Sequence, residues 1–83
     1  MTLPLEILRQ LALRPDYPQL ESTLRANVRI AMDAGQRPTD EQFRAALDQL
    51  RADHALVTVT NADVGDKHRI TDTGLARLAN AGH

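Results

Sequence analysis

Apolar residues recur along this chain at two different spacings, and the places where the spacing changes mark the elements. Leu5, Leu8, Leu11 and Ala12, with Ile7 beside them, follow a helical period and predict a first helix ending near Leu13. Thr2 is the expected cap, and Pro4 falls in the first turn, where its missing N–H costs no intrahelical bond. Arg14, Pro15 and Asp16 break the pattern, because a residue before proline is biased away from helix. Tyr17, Leu20, Leu24, Val28 and Ala31 then recur at steps of three and four, which predicts a second helix from near Tyr17, capped by Asp16 with Gln19 three residues on and Pro18 in its first turn. Ile30 falls off this stripe and reads as an edge-of-core residue, with a dimer contact as the alternative. Gly35 is the expected stop, since glycine accepts the left-handed conformation that ends many helices.

The third helix has the strongest signal. Thr39 and Gln42 have capping-box spacing, and Phe43, Ala46, Leu47 and Leu50 follow at i, i+3, i+4 and i+7. After Asp53 the period changes. Leu56 to Thr60 is apolar or β-branched, Asn61 to Asp66 is rich in turn formers and contains Gly65, and Lys67 to Thr71 reads as a returning strand. Thr71 and Asp72 are placed to cap a last helix with Leu75, Leu78 and Ala79 facing inward, and the tail from Asn80 to His83 is expected to fray. The predicted class is mainly α with a β-hairpin, α+β, in the order helix, helix, helix, strand, strand, helix. Residues 1–83 read as a single domain.

Composition narrows the chemistry. Tyr17 and Phe43 are the only aromatics and there is no cysteine, so the core must be aliphatic, and disulfides and thiolate metal sites are absent. Glu6 and Arg9 interrupt the first leucines, and no apolar run approaches the roughly 18 residues of a membrane span. The expectation is a cytoplasmic protein with no membrane partner. His54, His68 and His83 lack metal-ligand spacing, Ser22 is the sole serine, and no glycine-rich phosphate loop occurs. Neither an enzyme nor a cofactor or metal is therefore expected, and His68 reads as a surface histidine of the hairpin, with Asp66 as a conceivable partner.

Phe43-x-x-Ala46-Leu47-x-x-Leu50 running into Ala55-Leu56-Val57, and Arg69-Ile70-Thr71-Asp72-x-Gly74-Leu75-x-x-Leu78 after it, resemble the winged helix-turn-helix domains of bacterial regulators. The resemblance implies a recognition helix over the first stretch, a wing between the two, and double-stranded DNA as a partner, probed by a cytoplasmic transcription regulator. Two departures are visible: His54-Ala55 stands where the family often has glycine, which makes His54 the expected positive-φ residue, and residues 34–38 exceed the tight turn of the simplest motif.

Charge supplies a second reading. Nine arginines and one lysine face eleven acids, five basic against four acidic from residue 1 to 38 and five against seven from 39 to 83. A helical projection of the third helix puts Glu41, Ala45, Asp48 and Ala52 on its outer ridge, with Arg44 and Arg51 on one flank and Gln42, Gln49 and Asp53 on the other. Gln42, Arg44, Gln49 and Arg51, with Lys67 and Arg69 in the wing and Arg25, Arg29 and Arg37 around the second helix, are the candidate contacts to DNA or to a partner. The ridge Glu41, Ala45, Asp48 and Ala52 is the alternative, a protein-contact surface for a protein partner or a homodimer, in a module that does not bind DNA.

Overall fold

The computed structural model describes residues 2–81. Helix α1 spans Leu3–Ala12, strand β1 Gln19–Leu20, helix α2 Glu21–Ala31, a single 3-10 turn Ala34–Gln36, helix α3 Asp40–Ala52, strand β2 Leu56–Asn61, strand β3 Gly65–Ile70 and helix α4 Asp72–Ala81. This is an α+β domain in the predicted order with one addition. Strand β1 joins the hairpin to make a three-stranded antiparallel sheet ordered β1-β3-β2, and the whole has a winged-helix-like layout.

The hydrophobic core is aliphatic apart from Phe43. Ile7, Leu8 and Leu11 of α1, Leu24 and Val28 of α2, Phe43, Ala46, Leu47 and Leu50 of α3, and Ala55, Leu56 and Ile70 of the hairpin form one buried cluster. The expected stripes of α1 and α2 need correcting at their ends. Ile7 is fully buried while Leu5 is half-buried, and Glu6 and Gln10 are also covered. Both polar groups are satisfied: the Glu6 carboxylate accepts from Arg9 Nε at 2.8 Å and from Gln10 Nε2 at 3.1 Å. Thr2 opens α1 through its backbone carbonyl, which accepts from Glu6 N, and makes no side-chain cap.

The second helix starts four residues later than its periodicity predicts. Gln19 pairs with His68 and Leu20 with Lys67 at the edge of the sheet, and the Gln19 amide donates to the Gln10 carbonyl at 3.0 Å. Tertiary pairing thus overrides the helical spacing of Tyr17 and Leu20, and Asp16 caps nothing. Tyr17 lies exposed with the Arg14 guanidinium 5.9 Å from its ring centre, and Ala31 is exposed too. Ile30 is not an edge-of-core residue: it is 77% exposed. Gly35 is likewise not the stop, because α2 ends at Met32 in an extended conformation and Gly35 lies inside the following 3-10 turn.

Helix α3 begins with the expected reciprocal box: Gln42 N donates to Thr39 Oγ1 at 3.1 Å and Thr39 N donates to Gln42 Oε1 at 3.0 Å. It ends in a Schellman arrangement. Ala55 N donates to Leu50 O and His54 N to Arg51 O, while His54 takes φ 61°. The bend between helix and strand is therefore made by His54, as expected.

Leu56 lies opposite Ile70 across the hairpin, and both face the core. Asn61 pairs with Gly65, so the turn is only Ala62 to Val64, tighter than predicted; Asn61 Oδ1 accepts from Asp63 N at 2.8 Å and Gly65 takes φ 90°. Thr71 then serves two elements, donating to the His54 carbonyl and accepting from Gly74 N at 3.1 Å to cap α4. Gly74 is buried against the Ala55 carbonyl, and Leu78 packs on the core, but Leu75 and Ala79 face outward, contrary to expectation. Helix α4 continues through Ala81, and the rest of the tail expected to fray lies outside the described residues.

Candidate functional site

Helix α3 presents the predicted ridge to solvent. Glu41, Ala45, Asp48 and Ala52 are all exposed, since burying Phe43, Ala46, Leu47 and Leu50 turns the opposite side outward. The four polar side chains expected to read a partner beside that ridge are each engaged within the domain. Gln42 is held in the capping box. Gln49 Nε2 donates to Asp53 Oδ1 at 3.1 Å. Arg44 Nη2 lies 3.7 Å from Glu21 Oε2, and Arg51 Nη2 3.6 Å from Asp48 Oδ1. The last two are loose surface pairs, worth at most about 1 kcal/mol each, so they bias the arginines without locking them.

Asp53 is held more firmly. The Gln49 amide and the Arg77 guanidinium both donate to its carboxylate, Arg77 Nη1 at 3.1 Å, and these two bonds lower its pKa below the ordinary aspartate value against the opposing effect of burial. One acid of the third helix is thus neutralised by α4. Asp40, Glu41 and Asp48 remain against Arg44 and Arg51, and the outer surface of α3 stays acidic.

The arginines of α2 form a different environment. Arg25, Arg29 and Arg37 are brought together around one shallow groove with Ser22, Ala26 and Ile30. Arg29 Nη1 donates to the Pro38 carbonyl at 3.0 Å, and Arg37 Nε donates to the Arg29 carbonyl at 2.9 Å. A carbonyl fixes a guanidinium in place without cancelling its charge. Arg25 is 3.8 Å from Asp40, a contact that joins this groove to the start of α3.

The wing separates its two cations from both surfaces. Lys67 and Arg69 lie on the sheet face that carries Val59 and Val57, opposite the core. Lys67 lines a second groove with Leu13, Arg14, Tyr17, Leu20 and Asn27, between the α1–β1 loop and α2. Arg69 is exposed.

His68, expected at the surface, is fully buried. Its Nε2 is 3.0 Å from Glu21 Oε1 and its Nδ1 2.9 Å from Thr58 Oγ1, and it has no bond to Asp66. Glu21 as a carboxylate can only accept, so Nε2 carries a proton, and in the neutral ring Nδ1 accepts from the Thr58 hydroxyl. The signal that was available is the alternation Lys67, His68, Arg69, Ile70, which puts His68 on the face of Ile70. Among the described residues no group of three or more His, Cys, Asp or Glu side chains is placed to hold a metal, and no helix is long and apolar enough to cross a membrane.

No protein-family model, curated protein or solved structure matches the chain.

Proposed function

We propose that this domain is a protein-interaction module whose contact surface is the outer ridge of α3. The observation that carries this reading is the state of the side chains on that helix: Gln42, Arg44, Gln49 and Arg51 each have a partner inside the domain, and the ridge between them is Glu41, Ala45, Asp48 and Ala52. A duplex would set this acidic ridge between two rails of phosphate, where each contact draws its free energy from a cation that releases counterions. A basic protein surface meets the same ridge with complementary charge, and the small side chains of Ala45 and Ala52 permit close approach.

A second reading, duplex DNA binding with α3 in the major groove, is favoured by Lys67 and Arg69 on the solvent face of the wing. Fluorescence anisotropy with a labelled random-sequence duplex at low salt separates the two. The parent chain should not bind, whereas Glu41→Arg with Asp48→Arg, which changes the ridge from acidic to basic, should bind and lose affinity steeply as salt rises. Parent binding that weakens on Arg44→Ala would overturn the protein reading and favour DNA.

A further inference from the structure

Two neighbouring patches on this surface are complementary to each other. The groove on α2 gathers Arg25, Arg29 and Arg37 around Ile30, and the ridge on α3 alternates acid with alanine. They lie side by side: Arg25 meets Asp40 at 3.8 Å and Arg44 meets Glu21 at 3.7 Å along the seam between the helices. Beside the arginines Ile30 is a 77% exposed apolar side chain, and on the ridge Ala45 and Ala52 are small and exposed. Within one molecule neither patch covers the other.

We infer that the chain forms a two-fold dimer in which the arginine groove of each copy receives the α3 ridge of the other. A two-fold axis running along the seam exchanges the sides, so that each groove faces a partner ridge and both contacts form at once. Ile30 is then covered by the small side chains of the partner helix, removing from water an apolar group that the isolated fold leaves out. Arg29 and Arg37 enter the contact already oriented by the Pro38 and Arg29 carbonyls, so less side-chain freedom is lost on association. The inference rests on the protein-interaction reading of the ridge and names its partner as a second copy of this chain.

Charge reversal tests it. The 9.2 kDa parent is weighed by sedimentation equilibrium at about 0.2 mM protein and about 10 mM salt, where the Debye length is roughly 30 Å. The expected mass is that of a dimer, falling toward the monomer at about 1 M salt, where that length is roughly 3 Å. Ile30→Ser should raise the dissociation constant about tenfold or more. Arg29→Glu with Arg37→Glu makes groove and ridge both acidic, Glu41→Arg with Asp48→Arg makes both basic, and each variant alone should be monomeric. Mixed in equal amounts they should pair, because both contacts of the mixed dimer are again between opposite charges. Circular dichroism checks that each variant is folded, and Arg37→Glu alone, which loses a single exposed bond, serves if the double variant is not. A monomeric parent, or a parent dimer that neither reversal weakens, or folded variants that stay monomeric when mixed, would overturn the dimer. A monomeric parent that also ignores duplex DNA would leave the protein-interaction reading standing, whereas duplex binding by the parent would remove that reading as well.

Discussion

His68 ties together two elements that are remote in the chain. A lone histidine between lysine and arginine in a turn-rich hairpin looks solvated, yet it joins Glu21 at the start of α2 to Thr58 on β2 from a fully buried position. Replacing it by leucine keeps the volume near but removes one partner from each of two polar groups, one of them charged. Urea denaturation of His68→Leu should show a loss of about 1–3 kcal/mol, and a change below about 0.5 kcal/mol would fit only a surface residue. Asp53 offers a test of opposite character. Its pKa is lowered in the folded chain, first by the Gln49 amide and then by Arg77. The stability it contributes is therefore present above the unfolded value and lost as pH falls through the folded one. In an NMR titration Asp53 should have its midpoint below that of an ordinary aspartate, and Gln49→Ala should move it upward. A midpoint unmoved by that substitution would mean that the bond is not formed in solution.

At the level of elements, local rules held where the chain closes contacts with itself and failed where distant segments meet. Helix α3 and its capping box were legible because Thr39, Gln42 and the Phe43 to Leu50 stripe are all local, and His54 took the positive φ expected of it for the same reason. Strand β1 was not legible, since two residues pair with a strand some fifty positions away and carry no period of their own. Helix α4 was half legible. Its cap was visible in Thr71, but the element rests on Gly74 and Leu78 instead of on Leu75 and Ala79, because the hairpin end brings the Ala55 carbonyl against the backbone of Gly74. That close approach gives a direct test. A methyl group at position 74 would collide with the Ala55 carbonyl oxygen, which is backbone and cannot swing aside, and with Ile70. Gly74→Ala should destabilise by about 1–3 kcal/mol despite alanine's better helix propensity, as read from the thermal midpoint; an unchanged or raised midpoint would show that α4 stands further from the hairpin.

Taken as a whole molecule, the domain combines a winged-helix-like layout with an acidic outer face on α3. The layout was legible because it follows from the order of periodicities. The candidate residues were legible one by one, since exposure on α3 follows from its buried stripe. What they do together was not: which arginine meets a carboxylate and which meets a carbonyl depends on packing between α2, the 3-10 turn and α3. That distinction splits the surface into a groove where Arg29 and Arg37 meet carbonyls and a ridge with excess acid, the basis of the proposed protein contact. The claim is tested most directly by amide NMR of the labelled chain during titration with a random-sequence duplex at low salt. The amides of Ala45, Asp48, Gln49 and Arg69 should keep their positions at every duplex concentration. Progressive shifts at those residues that disappear when salt is added would contradict it.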